Sequence, residues 1–146
     1  MVAQAFVSEL TANDSTAQML LGVIREDDNA VYKYVKFSGT NAVAIGDFCC
    51  YVVSDVSNQT VDKANSVLGA GVCMGTVGSG SVSYGWIKIS GVATLNVALD
   101  SGSDGSALTN NGATAGTLRE VDAHAEPQVA TALDASAKIV MLQCSR

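Results

Sequence analysis

From Trp86 to Leu99 the chain alternates for 14 residues. Ile87, Ile89, Gly91, Ala93, Leu95, Val97 and Leu99 make one face wholly apolar or small. Trp86, Lys88, Ser90, Val92, Thr94, Asn96 and Ala98 make the other face mixed. A period of 2 held this long specifies an extended strand with one face on a core. Gly91, in its middle, predicts a bend or bulge where the strand turns a corner.

The rest of the chain agrees with an all-β reading. Proline occurs once, at Pro127, whereas glycine occurs 14 times, and Gly, Asn, Asp and Ser punctuate the sequence at short intervals. Ala30–Phe37 alternates around Val31, Val35 and Phe37, with Tyr32 and Tyr34 opposite. Asp47–Val53 is a continuous apolar run and predicts a strand buried on both faces. Val72–Val77 predicts a short strand. Gln128–Ala132 and Lys138–Cys144 predict two strands flanking a turn at Asp134–Ala137. Val72–Val77 with Trp86–Ile89, and Gln128–Leu133 with Lys138–Met141, echo one another as two similar hairpins. Leu10–Glu26 is ambiguous; without a cap-to-cap helix pattern it reads as a strand after an N-terminal arm spanning residues 1–18. Asp100–Gly116 is polar and loop-like, with a short strand at Ala107-Leu108. The expectation is one β domain over residues 1–146, a small β-sandwich or β-barrel with long loops and an extended N-terminal arm.

Composition narrows the function. The chain is 48% hydrophobic, too apolar for disorder, yet no apolar run approaches the roughly 18 residues that a membrane span needs. Met1–Val7 has no positive flank and no long apolar stretch, so no secretion signal is read. The net charge is −6, and the eight basic residues are scattered from Arg25 to Arg146. No row of them could neutralise a row of phosphates, so nucleic acid is not an expected partner. Cys49, Cys50, Cys73 and Cys144 sit in apolar runs without zinc-site spacing and read as four reduced, buried thiols of a protein made in a reducing cytosol. Without a secretion signal, the glycosylation sequons at Asn13 and Asn58 read as chance.

No catalytic, cofactor-binding or metal-ligating residue is assigned, and an enzyme is not expected. The only histidine, His124, lies in a polar segment before Pro127 and reads as a surface residue. Asp100, Asp104 and Gly105 match positions 1, 5 and 6 of a calcium loop, but Gly102 and Asn111 fail where ligands are needed. The glycines of Gly69–Gly85 come without the lysine and helix of a phosphate loop. Glu26-Asp27-Asp28 reads as a solvated turn. Tyr32, Tyr34 and Phe37 could form a stacking platform for bases or sugars, although alternating aromatics on a strand more often fill a core.

Six segments carry a resemblance. Gly71-Val72-Cys73-Met74-Gly75 is followed by Trp86-Ile87-Lys88-Ile89-Ser90-Gly91-Val92-Ala93. A turn-rich loop with Gly105-Ser106-Ala107-Leu108 comes next, and Val129–Leu133 with Lys138–Leu142 closes the pattern. Upstream, Val43–Phe48 fits the lead into the first core strands. In these glycine and apolar steps, about the last 100 residues resemble the capsid cement (head decoration) proteins of tailed bacteriophages. The resemblance implies a virion structural protein, commonly a homotrimer. It would sit on the major capsid protein at the outer surface of the head, stabilise the shell and perform no chemistry. It would be made in the host bacterial cytoplasm. The resemblance carries over no contact residues; the N-terminal arm and the Asp100–Gly116 loop are read as the intersubunit or capsid contacts. The competing expectations are a tail-tube, fibre or spike subunit, or a carbohydrate-binding β-sandwich, which would require exposed aromatics such as Trp86.

Overall fold

The computed structural model describes residues 8–54, 59–64, 66, 68–110, 112–122 and 126–145. The strands are β1 (Asn13–Asp14), β2 (Ile24–Asp27), β3 (Ala30–Phe37), β4 (Phe48–Tyr51), β5 (Thr60–Asp62), β6 (Gly69–Cys73), β7 (Ser83–Thr94), β8 (Ala107–Thr109), β9 (Arg119–Glu120), β10 (Ala130–Asp134) and β11 (Ile139–Gln143). The fold is all-β, as expected. Strands β3, β5, β4, β6 and β7 follow one another around a ring, and pairing of β3 with β7 closes it into a five-stranded barrel. Among the described residues only β3–β5 is parallel, with Lys36 opposite Thr60.

Strand β7 organises the molecule. Its upstream half belongs to the barrel, pairing with β3 on one side and with β1 and β6 on the other. Its downstream half pairs with β11 from Thr94 to Ser90 and carries the order β11-β10-β8-β9 outward. The corner falls where the sequence predicts it. The β3–β7 register slips between Val31 and Tyr32, which face Ser90 and Lys88. Gly91 adopts φ 106°, and a Cβ there would stand 3.0 Å from the Asn29 carbonyl oxygen. No L side chain sits comfortably in that conformation.

The outward sheet folds back over the barrel, so that β4 is buried on both faces. Cys49 and Tyr51 point into the barrel with Val35, Phe37, Val61, Ile87 and Ile89. Phe48 and Cys50 point into a second core with Ala93, Leu95, Leu108, Ala130, Val140 and Leu142. The continuous apolar run of the sequence has this cause: both faces of the strand are interior. A third cluster lies outside the barrel, where Leu10, Met19, Leu21 and Val23 cover Tyr32, Tyr34 and Trp86.

Several observed boundaries differ from expectation: the Asp47–Val53 run forms a strand only over Phe48–Tyr51, and the strand expected at Gln128–Ala132 runs at Ala130–Asp134. The alternating strand starts three residues earlier and ends at Thr94, because Leu95 to Leu99 leaves the ladder once β11 is used up. The strand expected at Val72–Val77 runs instead at Gly69–Cys73, where its backbone pairs with Phe48 to Cys50. Leu10–Glu26 is not one strand: apart from β1 and the start of β2 it is turns and bends laid on β3. Within the Asp100–Gly116 stretch the expected short strand is present as β8, which joins β10 and β9. The expected hairpin β10–β11 is present, its turn at residues 135–138 falling one residue later than Asp134–Ala137.

Candidate functional site

Alternation along β3 sends Tyr32 and Tyr34 out of the barrel and Lys33, Val35 and Phe37 into it. The outward aromatics do not form an open platform. Trp86 is 1% exposed and Tyr34 is wholly covered, the two rings meeting edge to face at 5.2 Å. The N-terminal segment holds this lid by backbone bonds: Gly22 N–H donates to Tyr34 O at 2.8 Å, and Tyr34 N–H donates to Val23 O at 2.9 Å. The Gln18 N–H reaches the Tyr34 hydroxyl at 3.2 Å. The stacking surface expected from these residues is therefore closed to bases and sugars.

The inward position of Lys33 was not singled out in the sequence, although it shares its face with Val31, Val35 and Phe37. Its ammonium donates to the Tyr51 hydroxyl at 2.9 Å and lies 4.8 Å from the ring centre. Burial lowers the Lys33 pKa from its ordinary value. It pushes the Tyr51 phenol up to about 12 and the nearby Cys144 thiol also to about 12. Tyr51 and Cys144 line a half-open hollow of about 250 Å³ together with Leu68, Gly69 and Val129. At neutral pH both are protonated, so the hollow offers neither a thiolate nor a phenolate as nucleophile.

All four cysteines are free thiols; Cys49, Cys50 and Cys73 are buried and Cys144 is half-buried. Their sulfurs serve as small polar fillers. Cys73 donates to Gly75 O at 2.8 Å, and Cys50 donates to Ala64 O at 3.1 Å while accepting from Asn110 at 3.3 Å. A hydrogen bond with Cys73, and burial, push the Cys49 thiol well up.

One carboxylate is completely enclosed. Asp47 Oδ2 pairs with Lys63 Nζ at 2.9 Å and accepts the Ala44 N–H at 2.9 Å, and its Oδ1 accepts from Asn96 Nδ2 at 2.8 Å. These contacts brace three chain segments.

The remaining candidates are dispersed. Asp100 Oδ2 accepts the Thr114 N–H at 2.8 Å, whereas Asp104 Oδ1 accepts the Ala135 N–H at 2.8 Å, so the two carboxylates of the calcium pattern pin different turns. Among the described residues no three His, Cys, Asp or Glu side chains gather as a metal site. Glu26 and Asp27 end β2, and Asp28 and Asn29, at φ 51° and 63°, form the two-residue hairpin turn to β3. The Gly69–Gly85 stretch supplies β6, a turn and the start of β7. Asn13 lies in β1, where its Nδ2 donates to Thr76 O at 2.8 Å. His124, Asn111 and Asn58 lie outside the described residues, as do Met1–Val7 and Arg146. No described helix is long and apolar enough to cross a membrane. No known family model matches the chain, and no curated protein matches it in sequence.

Proposed function

We propose that this protein is a capsid cement protein that binds the major capsid protein on the outer surface of a bacteriophage head and reinforces the shell, as a homotrimer. One observation carries the reading. The segments holding the resemblance, Val43–Phe48, Gly71–Gly75, Trp86–Ala93, Gly105–Leu108, Val129–Leu133 and Lys138–Leu142, lie on or lead into or out of β4, β6, β7, β8, β10 and β11, which are neighbours in the order β4-β6-β7-β11-β10-β8. The likeness therefore lies on one contiguous structural unit. A cement protein also needs a rigid body with broad faces, because repeated lattice contacts give it avidity. Two cores sharing β4 supply such rigidity. The burial of Trp86, Tyr32 and Tyr34 speaks against the carbohydrate-binding alternative.

The test is co-sedimentation with expanded heads of tailed phages stripped of their own cement protein. Saturable binding to a fixed number of sites per shell supports the proposal. Folded protein that stays at the top of the gradient with every shell tried overturns it. Open polymers of the free protein would speak for a tail-tube or fibre subunit.

A further inference from the structure

We propose that the outer face of the β7–β11–β10 sheet binds a second copy of this chain, through the acidic β2 edge of that copy. This rests on the trimer in the reading above and names its interface. Val92 of β7 stands beside Met141 of β11, which stands beside Thr131 of β10, and Thr94 stands beside Ile139. Their neighbours on the inner face are buried, so these side chains point away from the core. Val92 is 49% and Leu133 45% exposed. An antiparallel sheet packed on one face ordinarily turns polar residues to water on the other. Here that face is aliphatic at its centre. On the same strand upstream, Tyr84 and Trp86 lie beneath the N-terminal segment. The described chain covers one half of the strand and leaves the other open, and an open apolar patch rimmed by polar residues marks an interface.

Charge identifies the occupant. At −6, two copies repel one another unless unlike regions meet. Lys88 lies at one end of the face, its Nζ 2.9 Å from Val92 O, and Lys138 at the other, its Nζ 3.0 Å from Asn96 O. Two carboxylates accompany Lys138 at that end: Asp134, which accepts the Ser136 hydroxyl and the Ala137 N–H, and Asp104, which accepts the Ala135 N–H. The face is thus apolar, with Lys88 as the cation at one end. Its complement is present on the same molecule: β2 is the terminal strand of the sheet order, and Glu26, Asp27 and Asp28 stand exposed along it and its turn, with Asp27 paired to Arg25 at 2.8 Å. Face against edge is a contact between unlike surfaces, which closes into a ring when the rotation allows.

The test is the solution mass of the full-length protein and its variants by light scattering at low and high salt. The expectation is three times 14.9 kDa for the protein itself and 14.9 kDa for Val92→Lys/Leu133→Lys with an unchanged circular dichroism spectrum. Lys88→Glu weakens association about tenfold at low salt, and adding Glu26→Lys restores it. This charge swap keeps the question decidable if the lysine pair fails to fold. A trimer that survives both sets of substitutions overturns the face and leaves the cement reading standing. A wild-type protein that stays a monomer overturns both the interface and the trimer, leaving shell binding to be judged by co-sedimentation.

Discussion

Asp47 and Lys63 form a 2.9 Å ion pair in which the carboxylate shows no surface to solvent and the lysine side chain remains 28% exposed. The same carboxylate holds Ala44 and Asn96, so one group ties the approach to β4, the exit of β5 and the chain just after β7. Removing one partner of a buried charge costs more than the pair contributes, because the remaining charge stays enclosed. Lys63→Met is expected to lower stability by about 3 kcal/mol, and Asp47→Ala by about the same through its lost hydrogen bonds. The double variant should fall well short of the sum. Urea unfolding of the three variants measures this; additive losses would remove Asp47–Lys63 as a coupled unit.

Gly91 makes the second prediction. Its φ of 106° and the 3.0 Å approach to Asn29 O leave no place for a side chain at the corner where β7 leaves the barrel. Gly91→Ala should cost about 2–3 kcal/mol. The damage should spread to β11, whose Leu142 faces Gly91. Hydrogen exchange would show early opening of Ile139–Gln143 in the variant, and a variant as protected as the parent would refute this account.

Much of this architecture can be read from the chain. Strong period-2 stretches became β3 and β7, and the apolar run at Phe48–Tyr51 is buried on both sides because it faces two cores. The small-residue strand Gly69–Cys73 was misplaced because its backbone is recruited by β4, and Gly71 permits a Cβ-forbidden approach to Lys88 O. The N-terminal segment misled for a related reason. Met19, Leu21 and Val23 pack inward while Leu20, 82% exposed, points out, so the segment alternates without joining a ladder over those residues. Asp47 carried no local signal, since its partners Lys63 and Asn96 are brought to it only by barrel closure. The proposed face, by contrast, was partly visible as Val92 on the otherwise mixed side of β7.

The third prediction uses Trp86, the single tryptophan of the chain. Covered by the N-terminal segment and packed on Tyr34, it should emit at short wavelength and resist acrylamide quenching. Leu21→Ser weakens the lid without touching the barrel interior. It should shift the emission to the red and raise quenching, at a stability cost of about 1–2 kcal/mol. Unchanged fluorescence would mean that the lid does not depend on its apolar contacts.

Thiol accessibility gives a fourth. Cys49, Cys50 and Cys73 should resist a water-soluble disulfide reagent in the folded protein, with Cys144 reacting slowly. All four should react at once in denaturant. Fast native-state reaction of more than one thiol would contradict the double burial of β4.

The last prediction concerns alkaline pH. In the folded protein the Cys144 thiol is pushed up to about 12 from 9.0, and the Tyr51 phenol to about 12 from 10.0, in both cases chiefly by burial. Folding therefore favours the protonated forms. The Cys144 contribution is complete below pH 9 and is lost as pH rises towards 12; the Tyr51 contribution is complete below pH 10 and is lost over the remaining interval. Lys33 works in the opposite sense: its lowered pKa means that the folded state sheds a proton first, so its share grows as pH rises to about 10.5. The two acids oppose it at the top of the range, where they represent losses on the order of 4 and 3 kcal/mol at most. Stability should thus hold through neutral pH and fall steeply above pH 10. In Cys144→Ala the fall should be shallower and begin later, while Lys33→Met should remove the compensating rise. Denaturant midpoints measured from pH 7 to 11 decide it: if Cys144→Ala leaves the curve unchanged in shape, the buried thiol is not a source of the alkaline loss.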